Sequence, residues 1–277
     1  MIAILGTGLL GSNFARALIK KGETVHVWNR TFERANVLAA EGAKPFARAA
    51  DAVRGASRVH VVVSDDAAVD DVLAAAELGP ATLVIDHTTT STEGARARSA
   101  RTDITYVHAP VFMGPQNALE STGIMMVSGG RSRIARVTPM LEQMTGKLVD
   151  FGERVDAAAA FKLMGNTFLM GFTAAIGDLL GLAKALEIPS AQAIGLFEHF
   201  NPAQYITMRS KRMASGNYSN PSWELAMARK DARLVQEEVE RAHITLTLVP
   251  AIAERMDAMI ARGHSHDDWT VIAKDYV

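Results

Sequence analysis

The first eleven residues constrain this chain most. A short apolar run, Ile2 to Leu5, meets Gly6-Thr7-Gly8-Leu9-Leu10-Gly11, and a helical pattern from Ser12 to Lys21 follows at once. Three glycines at this spacing between a strand and a helix form the fingerprint of a dinucleotide-binding crossover. Gly6 permits the tight turn, Gly8 lets backbone approach a pyrophosphate, and Gly11 allows close packing of helix on strand. The amides around Gly8, Leu9 and Leu10 at the helix N-terminus are the expected pyrophosphate cradle.

The first half continues as it begins, with β-rich runs alternating with amphipathic segments. Strands are expected at Ile2 to Leu5, Thr24 to Trp28, Val59 to Ser64, Thr82 to Asp86, Thr105 to His108, Ile124 to Val127 and Leu148 to Phe151. Together they predict a doubly wound α/β sheet. From about Arg154 the strand signal stops, and segments rich in Ala, Leu, Met, Glu and Arg take over. A boundary near Gly152 follows, with a Rossmann domain over 1–153 and an all-helical domain over 154–277. The first long helix is expected from Val155 to Leu186 and, being poor in charge, to be buried. Its charge-free apolar stretch, Leu163 to Gly177, has 15 residues. That is short of the roughly 20 of a membrane span.

Charge and composition exclude several function classes. With 29 basic and 30 acidic residues the chain has no electrostatic footprint for a nucleic acid or an anionic membrane. It has no cysteine, so thiolate metal sites and cysteine nucleophiles are absent. His87, His108 and the His264-Ser265-His266-Asp267-Asp268 segment lack partners at useful metal-ligand spacing, and no metal is expected. No basic n-region or cleavage site precedes the first strand, which predicts a cytoplasmic location.

About 20 residues beyond the fingerprint, where an NAD enzyme places an acid on the ribose hydroxyls, the second strand ends in Asn29-Arg30-Thr31. A neutral Asn29 spares a 2′-phosphate the repulsion of a carboxylate, and Arg30 can clamp it, with Arg34 a turn further on. NADP is therefore the predicted cofactor. Ser64 and Asp65 at one strand end, and Thr88 and Thr89 at another, fall at the carboxyl edge of the sheet, where ligands gather. For Asp65, Asp66 and Asp86, capping a turn or helix is an equally good reading.

Four blocks taken together resemble the β-hydroxyacid dehydrogenase family, which includes 3-hydroxyisobutyrate and 6-phosphogluconate dehydrogenases. They are the glycine fingerprint with Asn29-Arg30-Thr31; His108-Ala109-Pro110-Val111-Phe112-Met113-Gly114; Lys162 with Asn166; and Lys230-Asp231 ahead of Leu234. The resemblance implies hydride transfer between a nicotinamide and a carbonyl or hydroxyl carbon, with Lys162 as acid/base. It also implies that Lys230 lies at the nicotinamide end of the cleft and that Asp231 and Trp223 line a substrate pocket. The residues support the central role independently, because an ammonium held in apolar surroundings can stabilise charge growing on a carbonyl oxygen and then supply the proton. Asn166, four residues on, shares a helix face with Lys162.

The pattern departs from the family at one loop. Members usually read Asp-Ala-Pro-Val-Ser-Gly-Gly, and the serine and glycine hold a substrate carboxylate. Here Phe112 and Met113 stand in those places, while Gly114, Pro115, Gln116 and Asn117 are left to supply an altered polar pocket. The leading expectation is an NADP-dependent reductase of a small aldehyde or ketone, or a dehydrogenase of a 3-hydroxy acid, acting as a homodimer or homotetramer. Two alternatives stay open: an imine reductase acting on an apolar imine, and an NADP-binding sensor without catalysis.

Overall fold

A computed structural model describes residues 1–277. Six parallel strands form the main sheet: β1 (Ile2–Leu5), β2 (Val25–Trp28), β3 (Lys44–Phe46), β4 (Arg58–Val61), β5 (Leu83–Asp86) and β6 (Thr105–His108). Their order is β3-β2-β1-β4-β5-β6, so the direction of winding reverses between β1 and β4. A crevice outside the carboxyl ends at such a reversal is where α/β sheets bind ligands.

The sheet is buried on both faces, and β1 shows why. Ile2 and Ile4 join one apolar cluster with Phe14 and Leu18 of the helix Leu9–Lys20. Ala3 and Leu5 join a second cluster with Val69, Val72 and Leu73 of the helix Asp66–Ala75. A strand that must be apolar on both sides has no polar alternation, which is the signature of a covered parallel sheet.

The expected single sheet is in fact two. β7 (Val111–Phe112), β8 (Ile124–Val127) and β9 (Lys147–Asp150) form a separate sheet, with β7 antiparallel to β8 and β8 parallel to β9. Met125 and Val127 of β8 share the cluster of Phe14 and Leu18, so this sheet extends the core instead of the strand ladder. β3 and β7 were not expected. β3 has three residues with Pro45 at its centre, a composition tolerated only at a sheet edge, and β7 has two.

By their contacts the residues group into two compact units, Met1–Asn166 and Thr167–Val277. The sequence division at 153/154 follows the change from strand to helix. The compact division falls later, within the helix Ala157–Ala185, because Ala157, Ala158 and Ala159 are buried with the first unit. That helix starts behind Ser128, whose hydroxyl accepts from the Ala158 amide at 2.9 Å. Before it stands buried Asp156, bound by Arg154 and Arg96, which hold its carboxyl down at about 2. The second unit has a smaller core of Tyr218, Leu225, Met256, Met259 and Val271. There Asp178 accepts three backbone amides, from Thr247, Leu248 and Val249, at the start of the helix Val249–Ala261. A further helix runs from Leu225 to Arg241. Residues 221–224 stay outside the helix, where Asp268 takes the Ser222 amide and Glu224 bridges to Asp268.

Burial of the long helix was expected and is not found. Phe161, Leu163, Met164, Phe168, Leu169, Met170 and Phe172 are all exposed. Counted with its few charged residues the helix has 29 residues, enough by length and composition to cross a bilayer, whereas the charge-free stretch alone does not reach that length.

A buried polar chain crosses β4 and β5. Arg58 Nε can only donate, so it fixes His60 Nε2 as acceptor at 3.1 Å. His60 Nδ1 then donates to His87 Nε2 at 2.9 Å, and His87 Nδ1 donates to the Ala109 carbonyl at 2.8 Å. Every bond requires both imidazoles neutral. Burial lowers both, His87 to about 4 and His60 in the same direction. A folded value below the unfolded 6.5 means that the stabilisation is complete above pH 6.5 and is lost as pH falls toward 4. His87 alone should then cost about 3 kcal/mol by pH 4. Urea unfolding at pH 7.5, 6 and 5 should show the free energy declining before the carboxylates titrate; a flat profile over that range would overturn this account.

Candidate active site

The helix Leu9–Lys20 can approach β1 only because Gly11 has no side chain: a Cβ there would stand 2.0 Å from the Gly6 carbonyl oxygen. Gly6 itself has φ +102°, and a Cβ on it would meet the Val62 oxygen at 2.1 Å. Gly8 differs. It is exposed, nothing lies within 4 Å of its Cβ position, and it precedes the first turn of a helix with no side-chain cap. Uncapped amides at an open helix N-terminus are an anion site.

A cleft of about 690 Å³ opens from this turn. Gly6, Gly8, Leu9 and Leu10 line it at the turn, and Asn29, Arg30, Thr31 and Arg34 beyond β2. Ser64 and Thr89 line it at the ends of neighbouring strands, with Met113 and Lys162 also in its wall. These sequence-predicted residues are thus brought together in one cavity. Gly11 lies behind the wall as a packing residue.

Several side chains there also hold the site together. Asn29 Oδ1 accepts from the Thr7 amide at 3.1 Å, and its Nδ2 donates to the Thr31 carbonyl at 3.0 Å. Asn29 therefore ties the end of β2 to the glycine turn, and Arg30, beside it, is exposed on the cleft. Asp65 does not line the cleft. It caps the helix Asp66–Ala75, accepting from the Ala68 amide at 2.9 Å, while Ser64 Oγ donates to its other oxygen. The capping alternative is what the geometry shows for Asp65. Thr88 is likewise engaged: its hydroxyl accepts from the Val63 amide at 3.1 Å, and its carbonyl accepts from His108 Nε2 at 2.9 Å.

Lys162 lies in the second turn of the helix Ala157–Ala185, half-buried, with Nζ 4.1 Å from the centroid of the Phe112 ring. Burial alone lowers its pKa, with no charged neighbour contributing. Asn166, one turn on, is the last residue of the first unit and is outside the cleft wall. Phe112 reaches the lysine because Gly165 leaves a notch for its ring: a Cβ at 165 would stand 2.2 Å from Phe112 Cζ. Gly165 was missed in the sequence. Glycine within a helix is a signal, but this helix also carries Gly171, Gly177 and Gly181, and nothing local separates them. His87 also lines the cleft.

In the loop expected to supply a polar pocket after β7, several polar groups bond one another. The Gly114 amide donates to Asn117 Oδ1 at 2.9 Å, Asn117 Nδ2 donates to Thr122 Oγ1 at 3.0 Å, and Gln116 Nε2 donates to Glu120. Asn117, by accepting from the Gly114 amide, caps the start of the helix Pro115–Glu120. The remaining predicted residues belong to the second unit. Lys230 and Asp231 pair with each other at 2.9 Å, and Trp223 packs against Trp269 with ring centroids 5.4 Å apart. No cluster of three or more His, Asp or Glu side chains comes together; His264 instead pairs with Asp267 at 2.6 Å.

Residues 1–152 match the model of the NAD binding domain of 6-phosphogluconate dehydrogenase. A probable 3-hydroxyisobutyrate dehydrogenase of Mycobacterium bovis is 34% identical over 200 residues, 70% of this chain and 67% of that protein. The chain belongs to the β-hydroxyacid dehydrogenase family. The 3-sulfolactaldehyde reductase of Escherichia coli is 25% identical over 98% of this chain and 94% of its own. Among solved structures, an imine reductase from Myxococcus stipitatus superposes with a TM-score of 0.92 at 20% identity over 100% of both chains. A reductive aminase from Aspergillus terreus does so at 0.91 and 20%, over 100% of this chain and 99% of that one. At such identity these two show a shared fold. The protein is an NAD(P)-dependent oxidoreductase of this family.

The two glycines should separate fold from binding. Gly11→Ala, which forces helix from strand, should lower the melting temperature by several degrees, in line with a cost of about 2 kcal/mol or more for overpacking. Gly8→Ala should melt within about two degrees of the parent while the Kd for NAD(P)H, followed by nucleotide fluorescence, rises at least tenfold. Loss of stability in Gly8→Ala equal to that in Gly11→Ala would contradict the assignment.

Proposed function

We propose that this protein reduces a small aldehyde or ketone, or oxidises the matching alcohol or 3-hydroxy acid, using NADP(H) and with Lys162 as acid/base. One observation carries the reading: Lys162 and the glycine turn line the same cleft. Bound there, the nicotinamide would supply or accept the hydride. Gly8, Leu9 and Leu10 would hold the pyrophosphate with backbone amides, and Arg30 with Arg34 would hold a 2′-phosphate, no carboxylate standing at the end of β2 to repel it. Lys162 Nζ would face the reacting oxygen, stabilise the charge growing on it and deliver the proton. The names of the relatives, a sulfolactaldehyde reductase and a hydroxyisobutyrate dehydrogenase, support carbonyl and alcohol chemistry. Asn166 would steady Lys162 along the helix, and Lys230, Asp231 and Trp223 would serve the nicotinamide and substrate side.

A second reading, reduction of an apolar imine, draws on Phe112 and Met113 beside the lysine. Depletion of NADPH against parallel carbonyl and imine panels decides between them, and tight NADPH binding without turnover on either would favour a sensor. In the carbonyl reading Lys162→Ala lowers kcat by about 10²- to 10⁴-fold while NADPH affinity stays within twofold. Reduction should fall as pH rises through the lowered Lys162 pKa, because the proton donor is then lost. Arg30→Ala should cut the preference for NADPH over NADH at least tenfold; an unchanged ratio would reject NADP specificity.

The exposed apolar face of the helix Ala157–Ala185 supports a homodimer or homotetramer, since water-facing Phe, Leu and Met at this density need a cover. Light scattering after gel filtration should give an integral multiple of the chain mass in detergent-free buffer. A strict monomer at micromolar concentration, or recovery only with membranes, would overturn that assignment.

A further inference from the structure

We infer that Asp71 reads the base of the dinucleotide, accepting a hydrogen bond from the exocyclic amine of adenine and so selecting adenine over a 6-oxopurine. The inference rests on the reading above that the glycine turn holds the pyrophosphate, and it carries that reading to the far end of the adenosine half.

Four carboxylates stand at and along the helix Asp66–Ala75, and three of them are engaged within the protein. Asp65 caps the helix through the Ala68 amide. Asp66 accepts from the Ser91 amide at 2.8 Å and from Arg98 at 2.9 Å, and Asp70 accepts from Arg98 at 2.7 Å. None of these three lines the cleft. Asp71 does line it, is exposed, and bonds to no other group of the protein.

Asp71 shares its stretch of wall with Ala68, Val72 and Ala75, which recur at steps of three and four residues and so form one face of the helix. Two methyl groups and a buried valine make that face a low apolar shelf carrying a single carboxylate. Val72 packs in the same apolar cluster as Trp28 at the end of β2, and Trp28 also lines the cleft. The shelf therefore belongs with Trp28 and Arg30 to one part of the cavity. A dinucleotide with its pyrophosphate on the Gly8 amides and its 2′-phosphate on Arg30 would lay its purine there.

The chemistry of the carboxylate names the group it meets. An ionised Asp only accepts hydrogen bonds, and the exocyclic amine is the one N–H donor of the adenine ring. The ribose hydroxyls fall to the end of β2, whereas Asp71 stands on the helix that follows β4. Asp71 pairs with neither Arg30 nor Arg34, so both guanidiniums are left for the 2′-phosphate and the carboxylate for the base. A 6-oxopurine would set an acceptor oxygen against that carboxylate and move its donor to the neighbouring ring nitrogen. A site that bonds an N–H rejects the analogue that lacks it.

NADPH and its hypoxanthine analogue, deamino-NADPH, differ only at this edge of the base, and both report binding to the full-length protein through nicotinamide fluorescence. The wild-type protein should bind NADPH at least tenfold more tightly than deamino-NADPH. Asp71→Asn, whose amide can donate to the oxo group, should bring that ratio below threefold. Asp71→Ser, which removes the charge with a different side chain, should lower it in the same direction. The preference for NADPH over NADH should stay within threefold in both variants. Equal wild-type affinities, or a base ratio unmoved by either substitution, would overturn the proposal. So would a change confined to the NADPH/NADH ratio, which would assign Asp71 to the 2′-phosphate. NADH against deamino-NADH should give the same base ratio, so a failure of NADP preference at Arg30 would leave this inference standing. Binding of none of the four nucleotides would overturn both the inference and the cofactor reading beneath it.

Discussion

The structure turns on the absence of a Cβ at two places in one strand–helix junction. Gly6 takes a left-handed φ against the Val62 carbonyl, and Gly11 lets the helix Leu9–Lys20 close to backbone contact with the Gly6 oxygen. That contact aims a helix N-terminus, uncapped, at the crevice where the sheet reverses its winding between β1 and β4. Partial positive charge and free amides then arrive together at the one edge of the sheet that is not covered by its own helices. Asn29 extends the same device, because its amide side chain locks the end of β2 to Thr7 and so places Arg30 at the cleft.

The other end of the cleft follows a different logic. The glycine turn offers many weak donors fixed by backbone, whereas the far wall offers one ammonium on a helix, half removed from water and held against an aromatic ring. A lysine so placed gives up part of its charge stabilisation, and burial lowers its pKa from the ordinary lysine value. The buried Arg58–His60–His87 chain supports this wall from below, since His87 lines the cleft and its ring also anchors the Ala109 carbonyl just before the loop that carries Phe112.

Much of this was readable in order along the chain. The fingerprint, the alternation of strands and helices and the change to helix after Asp150 are local patterns, and local patterns survive into structure when the burial they imply is met within a few tens of residues. The expectations that changed all concern partners distant in sequence. Val111 and Phe112 form a strand only because Ile124 and Met125 pair with them, and the strands beyond β6 build a second sheet because their apolar faces are taken by the helix Leu9–Lys20. Asp65, Gly114, Gln116 and Asn117 carry groups that could serve a ligand or a helix end, and composition cannot say which use wins. The long helix has the composition of a buried segment, yet nothing in the single chain covers it.

What the sequence by itself determined is the kind of chain this is: a nucleotide-binding α/β domain followed by helices, with Lys162 set in an apolar helix after an altered loop. Hydrophobic periodicity and glycine spacing decide such things, because they act between near neighbours. What only the tertiary structure decided is which glycine matters and to whom. Gly165 is one of four in its helix, and it becomes a packing requirement solely because a ring from fifty-three positions earlier comes to rest where its side chain would have been.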